Sequence, residues 1–390
     1  MFGVFTSSQY SVIYSRINMR ISAAEILNLW DEGKGITIPF QHQVSFLTGG
    51  NGLGKSTILN LIHDAINVGN PEDKQISTSK FRFCSTRVFF DKEFEIYKTK
   101  VVFPILKDHE KERLILERFS GEELHSVEAL QSVKDEFLDI SNDVDVTNVL
   151  TYKKRSLGEM FRVGLNHPVE WEEGTPELDR YLNWGAEIYQ EDRIINLDSE
   201  GVDNEVDSVM DKYFGIIVDT PYRKVIDRFQ KFESRLNSKL SKVLFESLGR
   251  DVPNEAEDES YKLLIEQKNE VDRLITTLNK YFRIDNKEVV RNEEDNKLTI
   301  SKNDKILSPD SLSRGEKALI HLFLLVFLSK NSINVMLLDE PEIGLHIDWQ
   351  NTLISDLVLI APNMQFIIAS HSPSLIEEWD ESHCIELVSE

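Results

Sequence analysis

Short apolar runs bounded by glycine and polar turns alternate along this chain with longer stretches whose apolar positions recur every three or four residues, which predicts a mixed α/β fold. Val44 to Leu47 reads as an apolar strand that enters a glycine-rich turn and then a helix from Lys55 to Ile66. From Arg82 to about Phe119 apolar and charged residues alternate at period two with polar breaks, predicting antiparallel strands in a half-exposed sheet. The stretch after residue 120 is acidic and weakly patterned before it turns strongly helical. Val225, Phe229, Phe232, Leu236, Leu240 and Val243 fall at spacings of four and three, and Leu264, Val271, Leu274, Leu278 and Phe282 continue the pattern. A helical hairpin follows from this, with the polar break GRDVPNEAEDES as its loop.

Arg283 to Leu307 returns to short alternating strands around Asn286 and Asn303. Ser313 and Glu316 have the spacing of a capping box, and the helix they open is apolar nearly all round, hence buried. Asn334 to Asp339 and Met364 to Ser370 are further apolar strands. The chain divides into a lobe at 1–120, a segment at 121–283 ending in the hairpin, and a lobe at 284–390; no repeat at solenoid spacing is found.

Composition narrows the function classes. With 41% hydrophobic residues over 390 positions the chain can bury a substantial core. Its 67 acidic against 44 basic side chains give a net charge of -23, so the average surface repels nucleic acid and anionic lipid, and any such contact must be a local patch. Cys84 and Cys384 are too few for a metal cluster and suit a reducing compartment. The longest apolar run, Ala318 to Leu328, is broken by His321 and falls short of the roughly 20 residues that cross a bilayer. The first residues lack the pattern of a signal peptide. A soluble, cytoplasmic protein with no membrane partner is expected.

GGNGLGKST, that is Gly49, Gly50, Asn51, Gly52, Leu53, Gly54, Lys55, Ser56 and Thr57, has the spacing of a phosphate-binding loop between strand and helix. Glycines let consecutive N–H groups turn toward an anion, the helix presents its positive end, and Lys55 adds a mobile charge for outer phosphates. Ser56 is the expected Mg²⁺ ligand. The plain alternative is a glycine-rich turn. NVMLLDEPEIGLH ends an apolar strand in Asp339 and Glu340, delivering two carboxylates at the edge where parallel sheets bind ligands. Asp339 is placed to hold Mg²⁺ through its water shell and Glu340 to orient or deprotonate an attacking water, the alternative being a solvated acidic turn. His371, just past the next strand, is either a turn residue or a donor to a γ-phosphate. The free N–H groups near Gly315 and the Ser313 hydroxyl make the capped helix start a second candidate anion site, or simply a well-capped core helix.

GxNGxGKS, then LSRGE, then DEPE with LH, then ASHSP, in this order, resemble the ABC-type ATPase heads, and within them the branch of OLD-family, RecF-like and structural-maintenance-of-chromosomes proteins. The resemblance covers about 40 to 66 and 300 to 375. It implies an α/β P-loop NTPase head with an antiparallel β arm and a helical hairpin insertion, binding ATP and Mg²⁺ between two copies. Ser313 and Gly315 would then reach the γ-phosphate in trans, Glu340 would be the catalytic base, His371 the γ-phosphate sensor, and Gln190 in EIYQEDR the residue of the family's Gln-bearing loop, unless it is an ordinary polar turn. Arg314 and Glu316 depart from the transporter signature, and Ile347 stands where OLD-like members usually carry proline. The insertion is too short for long coiled coils, and a fused Toprim nuclease finds no room, so any nuclease involved is expected to be a separate chain. The resemblance implies an ATPase serving a separately encoded nuclease or toxin in anti-phage defence. The rivals are a DNA-binding repair ATPase, a non-hydrolysing scaffold and, more distantly, a transporter subunit.

Lys224, Arg228, Lys231, Arg235, Lys239 and Lys242 each precede an apolar position of the first hairpin helix and so form a stripe at the edge of its apolar face. The stripe could grip phosphates or an acidic partner. The favoured expectation is a solvated flank pairing with acids of the second helix such as Glu266 and Glu270.

Overall fold

The computed structural model describes residues 20–29, 33–67, 84–91, 96–102, 126–132, 160–164, 185–190, 219–247, 255–291, 298–307 and 311–388. The first elements are β1 (Ala23–Leu27), β2 (Gly35–Pro39), β3 (Val44–Thr48), α1 (Lys55–Ile66), β4 (Cys84–Asp91), β5 (Ile96–Val102), β6 (Met160–Gly164) and β7 (Ala186–Gln190). The hairpin helices are α2 (Asp219–Ser247) and α3 (Glu255–Phe282), followed by β8 (Lys287–Arg291), β9 (Leu298–Lys302) and β10 (Lys305–Ile306). Then come α4 (Arg314–Ser329), β11 (Val335–Asp339), α5 (Ile347–Ile360), β12 (Gln365–Ala369), α6 (Pro373–Ile376) and β13 (Cys384–Glu386). The strands expected at 103–119 and most of the acidic stretch after 120 lie outside the described residues.

The central sheet has the order β13-β3-β12-β11-β7, and every pairing in it is parallel. Its inner strands β11 and β12 are buried on both faces, as the continuous apolar runs VMLLD and QFIIA require. Period-two alternation divides them between two cores. Met336, Leu338, Phe366 and Ile368 pack with α4, α5 and the hairpin, while Val335, Leu337, Ile367 and Ala369 pack with α1 and an antiparallel sheet of order β2-β1-β4-β5-β6. Strands β6 and β7, both from the 121–283 segment, complete sheets whose other strands come from the two lobes, so that segment contributes to the core as well as supplying the hairpin.

Three expectations change. The alternating strands are not half-exposed: Val88, Tyr97, Lys98, Thr99 and Lys100 are all buried, and the lysines point inward. The helix they face makes this possible. Lys98 Nζ donates to the Ile66 carbonyl at the C-terminal end of α1, 2.6 Å away, where the helix dipole favours a cation, and Lys100 Nζ lies 3.5 Å from Asp64 of the same helix. The loop expected at 249–260 is shorter than its composition suggests, because α3 begins at Glu255 and takes in the acidic residues 255–260. Acidic residues suit a helix N-terminus, so that part of the break is a helix start.

The hairpin packs against α4 through Val225, Phe229, Leu236 and Leu240, with Phe327 of α4 set edge-on to Phe229 at 5.9 Å. Five residues of the basic stripe do not pair as expected. Lys224, Arg228, Lys231, Arg235 and Lys239 are exposed, and among the described residues none forms an ion pair with Glu266 or Glu270. Glu270 instead binds Lys330 at the end of α4, 2.9 Å away, because α3 turns this acid toward α4 and away from α2. No helix among the described residues is long and apolar enough to cross a membrane.

At its N-terminus α4 meets the turn after β11 so closely that a Cβ on Gly315 would sit 2.2 Å from the Gly344 carbonyl oxygen. Gly315→Ala should therefore force the two segments apart at a cost of about 1–3 kcal/mol, read as a lowered midpoint in denaturant unfolding; an unchanged midpoint contradicts the packing. Farther along α4, partly buried His321 lies against Tyr189 and its pKa is pushed down to about 4, by burial first and by Arg228 second. The unfolded imidazole titrates near 6.5, so this site's contribution is fully present above that pH and is lost as pH falls through about 4, because the unfolded chain takes up the proton first. The loss amounts to ~3 kcal/mol. In urea titrations, His321→Gln should flatten the stability profile between these two pH values, and parallel profiles for the two proteins would contradict the shift.

Candidate functional site at the carboxyl edge of the central sheet

Parallel strands deliver their carboxyl ends to one edge, and here those of β3, β12, β11 and β7 carry in turn the glycine loop, Ser370–His371, Asp339–Glu340 and Gln190. Strand β12 lies between β3 and β11, so the histidine loop emerges between the cradle and the carboxylates.

The cradle is built by backbone geometry. Gly49, Gly52 and Gly54 have φ values of 133°, 83° and 81°, a region that side chains disfavour. Gly54 is the N-cap of α1 and offers no side-chain cap, which leaves the first N–H groups of the helix to address an anion. Gly50, Asn51 and Gly52 are exposed, Leu53, Gly54, Ser56 and Thr57 are partly buried, and Lys55 is buried. Lys55 Nζ donates to the carbonyl oxygens of Gly49 at 2.9 Å and Gly50 at 3.1 Å. Burial lowers the pKa of Lys55, opposed in order by the charges of Glu340, Asp339 and Glu342.

Ser56 Oγ donates to Asp339 Oδ1 at 2.8 Å, and Gln190 Nε2 donates to Asp339 Oδ2 at 3.0 Å. These groups, far apart in sequence, thus meet on one carboxylate. The Gln190 Nε2 also donates to Asn60 Oδ1 at 3.0 Å, while Gln190 Oε1 is buried without a hydrogen-bond partner. A hydroxyl, a carboxylate and an amide oxygen lacking a partner form a hard-oxygen donor set that fits Mg²⁺ and does not fit a thiophilic metal. Glu340 follows with φ 50°, strained for a non-glycine residue, and is held by its N–H donating to the Ala369 carbonyl at 2.8 Å. The strained backbone turns the chain sharply at the end of β11.

His371 is exposed, and its backbone N–H donates to Glu342 Oε1 at 3.1 Å. Ser313 caps α4 in the box its spacing predicts: its Oγ accepts from the Glu316 N–H at 3.3 Å, and its own N–H donates to Glu316 Oε2 at 2.8 Å. The other oxygen of Glu316 is 2.6 Å from Lys287 Nζ on β8. These contacts tie Ser313 and Gly315 to Glu316 and to Gly344, the turn after the acids.

Sequence reasoning passed over Asn60, Glu342, Gly344 and Lys287. Asn60 had a usable signal, since it lies one turn beyond Ser56 on the same face of α1. Glu342 stood inside the DEPE motif. Lys287 and Gly344 carried no local signal, because their partners are distant or are backbone atoms.

The model of a family described as "AAA domain, putative AbiEii toxin, Type IV TA system" matches residues 44–377. The chain is similar to the "Retron Vc95 probable ATPase" of Vibrio cholerae serotype O1 biovar El Tor, at 37% identity over 90 residues, which are 20% of this chain and 18% of that protein. It is also similar to the "Retron Ec83 probable ATPase" of Escherichia coli, at 28% identity over 159 residues, 33% of this chain and 29% of that protein. The chain thus spans less than a third of the length of either curated relative. Among solved structures, the Smc head domain with an extended coiled coil bound to the C-terminal domain of ScpA, from Pyrococcus furiosus, aligns at 15% identity over 92% of both chains with a TM-score of 0.36. The sheet edge described above is that of a P-loop NTPase fold, and with the family match running from the first residue of β3 to just past α6, the chain belongs to this AAA-domain family.

Proposed function

We propose that the chain is an ATP-binding and ATP-hydrolysing head that works as a dimer or larger assembly, and that it is a nucleotide switch for a separately encoded effector, a nuclease or toxin, in bacterial anti-phage defence. The observation that carries the nucleotide part is the Ser56–Asp339 hydrogen bond of 2.8 Å, which joins the cradle to the acidic strand end in one subunit. The defence part draws on kinship with a family described by a toxin of a type IV TA system and with retron-associated relatives.

In this reading the N–H groups of the glycine loop and the start of α1 bind the β-phosphate, and Lys55 leaves the Gly49 and Gly50 carbonyls for the outer phosphates. Ser56 and Asp339 would hold Mg²⁺, with Gln190 beside them, and the cation would supply neutralisation of the phosphate charge. The Glu340 carboxylate takes a proton from water as that oxygen bonds to the γ-phosphorus. The bond from phosphorus to the bridging oxygen breaks, leaving ADP and inorganic phosphate. His371 donates to a γ-phosphate oxygen, and Ser313 and Gly315 of a second copy close the site from the other side. Hydrolysis removes the contacts that bridge the copies and so shifts the assembly that an effector reads.

Glu340→Gln removes the base and keeps the shape. It should cut steady-state phosphate release by about 10²- to 10⁴-fold, keep ATP affinity, and lengthen the lifetime of an ATP-dependent dimer in size-exclusion chromatography. Wild-type protein that releases no more phosphate than this variant would overturn hydrolysis in favour of an ATP-stabilised scaffold.

One observation favours a second reading, direct DNA binding: Lys224, Arg228, Lys231, Arg235 and Lys239 of the basic stripe on α2 are exposed, and among the described residues none of these five pairs with Glu266 or Glu270 of α3. If the stripe holds phosphates, binding weakens steeply with salt, and Lys231→Glu with Arg235→Glu reduces both affinity and salt slope. No mobility shift at physiological salt, with or without ATP, sinks this reading.

A further inference from the structure

One carboxylate gathers most of the hydrogen bonds that hold the loop carrying His371. Glu342, two residues beyond Glu340, places Oε1 within reach of three donors: Ser370 Oγ at 2.6 Å, the His371 N–H at 3.1 Å and the Ser372 N–H at 3.2 Å. The Ser372 N–H is shared with Ser370 Oγ at 2.9 Å, which closes a small ring of bonds around the histidine. The ring is anchored once more, as Ser372 Oγ donates to Gln350 Oε1 at 2.6 Å and Gln350 Nε2 donates to the Leu345 carbonyl at 3.1 Å. Both of those groups belong to the chain that follows the acidic turn. The second Glu342 oxygen is buried without a hydrogen-bond partner, so the carboxylate is committed to this loop from one side only. A desolvated carboxylate accepting several N–H and O–H donors holds them more strongly than the same group in water.

We propose that Glu342 is the positioning residue that fastens His371 to the turn bearing Glu340, so that the γ-phosphate sensor and the base are carried as one rigid unit. The inference rests on the reading of this edge as an ATP site and assigns a role to a residue that this reading leaves idle. In this reading Glu342 has no direct part in binding nucleotide or activating water. It acts through the backbone at 370–372. Removing it frees the His371 N–H and the Ser370 hydroxyl and leaves the Ser372 N–H on Ser370 Oγ alone, and the loop loses its register relative to β11.

The test uses the full chain and reads the ratio of ATP to ADP affinity by calorimetry, together with turnover and amide hydrogen exchange at 370–372. Glu342→Ala should lower the affinity ratio and the turnover by about tenfold to a hundredfold, as loss of an orienting partner does, and speed exchange at residues 371 and 372. Glu342→Gln retains an acceptor oxygen and should keep most of the ratio. The discriminating measurement is a double-variant cycle: Glu342→Ala added to His371→Ala should cost little beyond His371→Ala alone. Losses that multiply, or a ratio that survives Glu342→Ala, overturn the positioning role while leaving the ATP site intact. A wild-type protein that binds ATP no better than ADP instead removes the γ-phosphate role of His371, and with it both readings.

Discussion

The single carboxylate of Asp339 has two oxygens, and each is claimed from a different part of the chain: one by Ser56 on α1, the other by Gln190 at the end of β7. That convergence is possible because β3, β11 and β7 run parallel and end along the same edge. An antiparallel neighbour would have sent one of these groups to the opposite rim. The strand order also fixes what can lie between cradle and acids, since β12 occupies that place and its exit brings His371 there. Sheet topology thus sets the membership of the site, and the side chains at the strand ends set its chemistry.

Charge is handled differently in the two layers around the sheet. The protein carries a net charge of -23, yet lysines are buried at one support of the site and half-buried at another. Behind the cradle, Lys98 and Lys100 sit against the C-terminal end of α1 and against Asp64. A helix C-terminus is the place where a desolvated ammonium is offset by dipole and carbonyl oxygens, so these lysines fix the far end of the helix whose near end forms the cradle. In front, Lys287 is bound to Glu316, whose other oxygen caps Ser313.

What was legible in the sequence was local. The span of α1 and the strands ending in Asp339 and Ala369 follow from apolar runs interrupted by glycine, acid or proline, and the capping box follows from spacing alone. The short strands β1, β2 and β6 were not legible, since each of five residues carries too little pattern to separate it from a loop. The inward lysines of β5 inverted a rule that holds only when no compensating partner is present, and that partner was 32 residues away for Lys98. Asn60 and Gln190 are separated by 130 residues, and no local signal could pair them. The left-handed φ of Glu340 is likewise a product of tertiary context, imposed by the bond from its N–H to Ala369.

The root of the hairpin is fixed to both elements that carry site loops. Asn279 of α3 exchanges hydrogen bonds with the backbone of Val289, which holds β8 and therefore Lys287 in place against Glu316 of α4. Two residues on, Tyr281 donates to Asp356 Oδ2 at 2.8 Å, and Lys280 reaches the other oxygen at 2.7 Å, tying the same turn of α3 to α5. Because α5 begins at the turn after the acids and α4 begins at Ser313, a rotation of α3 that kept these bonds would carry both site loops with it. A rotation that spared the loops would have to break the Lys287–Glu316 pair, whose carboxylate is almost wholly buried, at a cost of about 3–5 kcal/mol for the charge left behind. These bonds therefore oppose a change of hairpin angle that leaves the site loops where they are.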